Sequence, residues 1–295
     1  MIVLLASIIR FFTNYFLISS LPFGYYIGML FVRLGRWFRI ITYNTAKSDF
    51  HTLKIFNHVK MKVDRYSYMG GSIFWTGFHH VNETLFLKKF LKPHMTFIDI
   101  GANQGEFSLI AASILKNGRI LAFEPVSFQR DLLQKNKDLN DFNNIEIFSF
   151  GLSDKAGKLP IYTSTNTEIH HGIHEGLSSL YSSSERSEMQ EIVDLKVFDD
   201  IFFDNLSRLD FIKIDVEGAE LFALKGMTRS IQKYKPIILI EINEGTFKNA
   251  GYSTADVMEF FRSLNYKFFS IKRGEFISEP KIELEDWGNY IIQPT

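Results

Sequence analysis

Several acidic residues end or interrupt apolar runs, where an unpartnered carboxylate is costly. Asp99-Ile-Gly101-Ala-Asn103-Gln-Gly105-Glu106 closes one run, Glu124 ends a second inside Phe-Glu-Pro, and Ile214-Asp215-Val-Glu217-Gly-Ala-Glu220 closes a third. Glu241 ends a fourth. In the first segment, glycines let the backbone turn tightly and approach a ligand with no Cβ in the way. A helix starting there offers free N–H groups to an anion. The Gly-x-x-x-Gly spacing differs from the Gly-x-Gly-x-x-Gly of dinucleotide sites. N–H groups beside a carboxylate such as Asp99 suit a zwitterion, and the methionine end of S-adenosylmethionine (SAM) is one. A structural alternative is a capped helix start, with Asn103 as N-cap and Glu106 as its capping-box partner. Glu124 is placed to accept both hydroxyls of a ribose. Asp154, in Gly151-Leu-Ser-Asp154, is placed either to accept from an adenine amino group or to form a turn before Gly157. Asp215, Glu217 and Glu241 are candidates to orient an acceptor hydroxyl or take its proton.

The elements that must position these residues alternate strand and helix. Short apolar runs at Thr96–Gly101, Arg119–Glu124, Ile145–Leu152, Asp210–Val216 and Pro236–Ile242 predict five strands. Helical spacing occupies Glu106–Leu115, Ser127–Lys137 and Ala219–Lys225, the last with Gly226 as its stop. Another helix starts at Ser253, with Asp256 three residues on. Late strands at Tyr266–Ile271 and Tyr290–Ile292 have no helix pattern between them. This order predicts an α/β fold: a mainly parallel, doubly wound sheet with an antiparallel C-terminal strand. Ligands in such sheets bind beyond the carboxyl ends of the strands, where the acids lie.

Thr163–Glu191 breaks the rhythm and reads as a long loop at the pocket edge that could select the acceptor. His170, His171 and His174 fall within it and read as loop histidines; no metal site is assigned. His79, His80 and His94 show no partner pattern.

Lys+Arg and Asp+Glu balance at 33 each, so the basic excess of a nucleic-acid binder is lacking. The absence of cysteine excludes disulfides, thiolate zinc sites and a cysteine nucleophile.

Residues 1–45 read as a hydrophobic helical extension, and 46–295 as the main domain. Phe11–Val32 carries no charge, and Arg33, Arg36 and Arg39 follow it. The run is long enough to span a bilayer with the arginines on the cytoplasmic side. Ser-Ser-Leu-Pro-Phe-Gly (residues 19–24) breaks it near the middle. Two short helices at a membrane interface, or packed on the main domain, fit the same residues.

Together, Phe97-Ile-Asp-Ile-Gly-Ala-Asn-Gln-Gly-Glu-Phe-Ser-Leu109, Phe123-Glu-Pro125, Gly151-Leu-Ser-Asp154 and Ile214-Asp-Val-Glu-Gly-Ala-Glu220 resemble the ordered motifs of the FkbM family of methyltransferases. Gly176-Leu-Ser-Ser-Leu180 and Phe198-Asp-Asp-Ile201 resemble that family's middle region. The likeness covers about residues 80–270. It implies a class I SAM-dependent methyltransferase (Rossmann-like) fold and O-methylation of a sugar, glycan or secondary-metabolite hydroxyl. Carried over, Asp99, Gly101, Asn103 and Gly105 would line the methionine end of SAM, Glu124 the ribose and Asp154 the adenine. Asp215 and Glu217 would face the acceptor. Two other classes remain open on sequence: a non-catalytic membrane-associated assembly protein that keeps the fold, and a nicotinamide-dependent oxidoreductase.

Overall fold

A computed structural model describes residues 1–19, 21, 23–43, 48–163, 179–181, 188–277 and 287–295. His170, His171 and His174 lie outside the described residues.

The chain opens with two helices, α1 (Ile2–Ile18) and α2 (Gly24–Thr42), which pack on each other. Phe23, with φ +61°, precedes α2 in the left-handed region. The uncharged run of Phe11–Val32 is thereby divided between two helices. Among the described residues no helix is long and apolar enough to cross a membrane, so of the readings left open by the sequence the span fails and the pair of short helices holds. The break falls where Ser-Ser-Leu-Pro-Phe-Gly placed it. Both helices also pack on α3 (Tyr68–Thr76). Arg10 is the charged residue within the apolar α1, and this packing explains it: its guanidinium is buried, donates to the Phe74 carbonyl and to Ser7 Oγ (3.0 Å), and lies 5.4 Å from the Phe74 ring. Burial without a counter-charge pushes its pKa down to about 10.

A two-stranded ribbon, β1 (Phe50–Lys54) and β2 (Lys60–Asp64), precedes α3, and α4 (Val81–Phe90) follows it. The predicted alternation then begins with β3 (Thr96–Ile100), α5 (Glu106–Ile114), β4 (Arg119–Phe123), α6 (Ser127–Asp138) and β5 (Ile145–Phe148). The chain then leaves the main sheet. The single strand expected over Ile145–Leu152 is two: β5 stays in the sheet, and β6 (Gly151–Leu152) pairs elsewhere with β8 (Glu188–Lys196), itself antiparallel to β7 (Gly157–Thr163). The expected loop is thus shorter than Thr163–Glu191, because its distal end belongs to β8. Helix α7 (Phe198–Phe202) returns the chain to β9 (Phe211–Ile214), α8 (Glu220–Lys225), α9 (Thr228–Tyr234), β10 (Ile237–Asn243), α10 (Glu244–Asn249) and α11 (Thr254–Ser263). Ser253 and Asp256 form the capping box expected at the start of α11. Strands β11 (Tyr266–Lys272), β12 (Glu275–Ile277) and β13 (Trp287–Pro294) finish the fold.

The eight-stranded sheet runs β12-β11-β13-β10-β9-β3-β4-β5. Strands β10, β9, β3, β4 and β5 are parallel, β13 lies antiparallel between β10 and β11, β11 therefore runs with the five, and β12 pairs antiparallel at its edge. Successive residues alternate between two apolar layers. Phe97, Ile120, Phe211 and Leu239 face a layer shared with Ala6, Ile9, Val32, Trp75 and Ile110. Ile98, Leu121, Ile212 and Ile240 face Phe198, Leu224, Phe247 and Phe261. Burial on both faces explains why these strands read as continuous apolar runs. The residues of α1 and α2 join the first layer directly, so the extension is packed against the main fold.

Gly35 marks the closest approach: a Cβ there would stand 2.7 Å from Thr76 Cγ2 and 3.3 Å from Trp75 Cβ. Gly35→Leu should therefore destabilise the protein by about 1–3 kcal/mol and lower the melting temperature by several degrees. An unchanged melting curve by calorimetry would mean that α2 does not dock on α3.

Candidate active site

The carboxyl ends of β3, β4, β9 and β10 open into one cavity of about 960 Å³. One part is lined by Gly101, Ala102, Asn103, Gln104, Glu124, Pro125, Val126, Gly151 and Leu152. The other is lined by Lys213, Asp215, Glu217, Glu241, Trp287 and Asn289, faced by Arg36, Arg39, Tyr68, His79 and His80 from the N-terminal half.

The turn after β3 has the strain its glycines predict. Gly101 and Gly105 have φ of +76° and +97°, and Asn103 has φ +50°. A Cβ on Gly101 would meet the Asp215 carbonyl at 2.0 Å, so no other residue fits between β3 and β9. Glu124 reaches over the turn. It accepts from the Asn103 N–H at 2.7 Å and the Val126 N–H at 2.9 Å, while Arg130 holds the Glu124 and Pro125 carbonyls. Each of its carboxyl oxygens keeps capacity to accept a further hydrogen bond. The helix start differs from the capping-box expectation. Gly105 is the N-cap and makes no side-chain cap bond. Asn103 Oδ1 accepts from the Gln104 N–H, and Glu106 turns away to accept from the His79 N–H at 2.8 Å. Burial of His79 against the turn claims Glu106 first.

A model of the methyltransferase FkbM domain matches residues 99–268 of the chain. Methyltransferase sdnD of Sordaria araneosa is 33% identical over 153 residues, which are 44% of this chain and 59% of that protein. Hexuronic acid methyltransferase AglP of Haloferax volcanii is 28% identical over 151 residues, 50% of this chain and 55% of that protein. The chain thus spans between half and two thirds of these relatives. A crystal structure of methyltransferase FkbM from Methylobacillus flagellatus aligns at TM-score 0.45 and 19% identity, over 69% of this chain and 44% of that one. The chain belongs to the FkbM methyltransferase family. Its strand order, with the antiparallel β13 set between β10 and β11, is that of the class I SAM-dependent methyltransferase fold.

Within this family member the predicted residues divide. Gly101, Asn103 and Glu124 line the cavity, as do Asp215, Glu217 and Glu241. Asp99, Gly105 and Asp154 are not among its lining residues. Asp99 lies wholly buried beneath the turn, where Oδ2 accepts from Ser108 Oγ at 2.6 Å and Oδ1 stands 3.8 Å from Lys213 Nζ with no hydrogen bond. Gly105 packs on Leu133, leaving no room for a Cβ. Asp154 is partly exposed beside Ser153.

Lys213 was not marked by its sequence context, being a single cation in an apolar strand. Its buried ammonium donates to the Gly101 carbonyl at 2.9 Å and stands 3.4 Å from Asp215 Oδ2. Burial works against its charge, but Asp215 and Asp99 outweigh burial and raise its pKa. Burial also pushes Asp215 up, yet Lys213, His80 and a hydrogen bond with Glu241 hold its carboxyl below the ordinary value. Glu241 goes the other way: burial, then Asp215, Glu217 and Glu220, push its carboxyl well up. It therefore holds a proton toward Asp215 while accepting from Trp287 Nε1 at 2.8 Å. The ligand atoms of Asp215, Glu217 and Glu241 lie within 4.8 Å of one another, a spacing that would admit a divalent cation. His79 and His80 were likewise missed, for nothing in the sequence ties them to strands that follow. Their rings stand 4.3 Å apart, and burial, followed by His80, Arg39, Arg36 and Lys213, keeps the His79 imidazole neutral.

Two buried acids give the site a pH signature. Burial pushes Glu124 and Glu220 each up to about 7, although backbone N–H groups oppose the shift in both. A carboxyl whose folded pKa is raised binds more protons folded than unfolded. Its stabilisation is complete below its unfolded pKa of about 4.5 and is lost as pH rises through about 7. The ligand-free protein should be more resistant to urea at pH 5 than at pH 8, with Glu124→Gln flattening part of that slope. A wild-type slope of the opposite sign would refute the burial of charge at these two positions.

Proposed function

We propose that the protein transfers the methyl group of SAM to a hydroxyl of a sugar, glycan or secondary-metabolite acceptor. The reading is carried by one observation: the Gly101–Gln104 turn, Glu124 and the Asp215–Glu217–Glu241 cluster open into a single cavity in a chain of the FkbM family. That cavity is wide enough for two small molecules side by side. Membership of the family favours this reading over a nicotinamide-dependent oxidoreductase or a non-catalytic assembly protein.

The residues fit SAM by their chemistry. The turn is held open by left-handed backbone, with the start of α5 directly behind it. Glu124 offers a carboxylate at the end of β4, in the position suited to a ribose. Bound SAM supplies an electrophilic methyl on a sulfonium whose departure leaves a neutral thioether. What the protein must add is alignment of the acceptor oxygen and exclusion of water. Asp215 is ionised and paired with Lys213, so it accepts a hydrogen bond from the acceptor hydroxyl and fixes its direction. A carboxylate held below its ordinary pKa is a weak base, and it takes the proton only as that oxygen gains positive charge. Glu241, holding its proton, adds no second negative charge against Asp215. In this reading Glu217, also lining the cavity, completes the acceptor wall.

The hairpin of α1 and α2 suggests where the enzyme works. Leu4, Phe11, Phe23, Leu30 and Trp37 are each more than half exposed, with Arg33 exposed among them. Such a face suits shallow contact with the cytoplasmic side of an anionic bilayer.

Calorimetric titration of SAM into the full chain should show binding that Glu124→Ala weakens at least about tenfold. Asp215→Asn should leave that affinity within about twofold and lower kcat by about 10²–10⁴ on an acceptor found by screening. Heat of binding that is absent from folded wild-type protein would overturn the reading. In flotation assays, the protein should follow phosphatidylserine vesicles and Phe11→Ser/Trp37→Ser should not; equal recovery of both would remove the membrane contact.

A further inference from the structure

Two cations from the N-terminal hairpin line the cavity with no counter-charge among the described residues. Arg36 and Arg39 lie one turn apart on α2, and both line the acceptor half. Arg39 is half-buried. Its Nη1 donates to the Tyr68 carbonyl at 2.9 Å and to Ser72 Oγ at 2.8 Å, and its guanidinium lies 4.9 Å from the Tyr68 ring. Among the described residues neither arginine has a carboxylate within ion-pair distance. Elsewhere in the fold Arg65, Arg119 and Arg208 are each paired with one, at 2.6 Å. Burial, and then the like charge of Arg36, depress the Arg39 guanidinium. Glu83 lines the same cavity but forms no ion pair with either arginine, and it acts on Tyr25 and Glu106. The acids of the opposite wall are already engaged: Asp215 with Lys213 and Glu241, and Glu241 with Trp287.

A partly desolvated guanidinium with unused donors is costly until an anion meets it, and its planar fork matches a carboxylate or a phosphate. We propose that the acceptor carries such an anionic group beside the hydroxyl to be methylated, and that Arg36 and Arg39 hold it. The inference rests on the methyltransferase reading for its reaction and on the hairpin for its recognition. Both arginines lie outside residues 99–268, so this selectivity belongs to the extension and not to the segment shared with the family. With the anion fixed at α2, the rest of a sugar-sized molecule reaches toward Asp215 across the cavity.

The test is a melting and calorimetric series on the full chain, with and without saturating S-adenosylhomocysteine, using glucuronate, glucose 6-phosphate and glucose as probes. At least one anionic probe should bind and raise the melting temperature, and glucose should not; which anion binds separates carboxylate from phosphate. Arg39→Gln should weaken that probe at least about tenfold while leaving S-adenosylhomocysteine affinity unchanged. Because Arg39 also ties α2 to α3, the exposed Arg36→Gln serves as the variant whose folding is not at issue, and it should weaken the same probe. Glucose binding as well as the anions, no probe binding, or full anion affinity in both variants would overturn the proposal. Anion binding that depends on the arginines, in a protein that does not bind S-adenosylhomocysteine, would instead refute the methyltransferase reading and keep the anion site.

Discussion

The buried ammonium of Lys213 is the interaction on which the rest of the site depends. It joins the ends of two neighbouring parallel strands by donating to the Gly101 carbonyl of one and standing between Asp99 and Asp215 of the two. Asp215 could not stay readily ionised beside a second carboxyl in an apolar sheet without it. A lone buried lysine would lose its proton for the same reason. Lys213 and Asp215 hold each other charged, while burial raises the Asp99 carboxyl against the pull of Lys213, and the arrangement is rigid because β3 and β9 are adjacent in register, Asp99 opposite Lys213. The left-handed turn at Gly101 sits directly on this triad. The turn and Asp215 are thus both tied to a single buried cation.

The proton held between Asp215 and Glu241 follows from the same constraint. Lys213 neutralises one acid of the pair, so the second can stay in place only as the neutral form. Trp287 Nε1 fixes the orientation of Glu241, and it comes from β13, the antiparallel strand beside β10. The C-terminal strand therefore does more than close the sheet. The site gains one acid held below its ordinary pKa and one pushed well above it, from residues that are chemically alike and differ in their neighbours.

The sheet and its acids were legible because both leave a local trace. Five apolar runs of strand length, four of them ending at or beside an acid or glycine, can be read from composition and period alone. The Gly101–Gly105 spacing likewise declares a turn. What escaped was whatever depends on tertiary neighbours. Residues 46–95 show no strong period, so the β1–β2 ribbon, α3 and the His79–His80 pair could not be placed. Gly226 stops α8, as read, but has an ordinary φ of −69°; glycine is required there because a Cβ would strike the Ser153 carbonyl at 2.2 Å. Glu106 has the spacing of a capping box and is used instead for a backbone donor 27 residues upstream. Asp99 illustrates the limit most directly: its position in the motif is a matter of sequence, whereas its burial beneath the turn depends on Lys213, more than a hundred residues away.

The N-terminal hairpin shows how one composition serves two purposes. An uncharged stretch followed by three arginines satisfies the pattern of a membrane anchor, and hydropathy alone cannot tell such a span from two helices with one apolar side each. The charge within α1 decides between them. Arg10 is tolerable only because the Phe74 carbonyl and Ser7 receive its donors in a protein interior. In hydrocarbon, the same residue near the middle of a helix would have to reach water. The trailing arginines follow the same logic. Arg39 is anchored to Tyr68 and Ser72, which directs α2 across the cavity mouth rather than away from it. The outer side of both helices keeps its apolar residues exposed. One hairpin thus forms a wall of the pocket, through Arg36 and Arg39, and presents an apolar face on its other side.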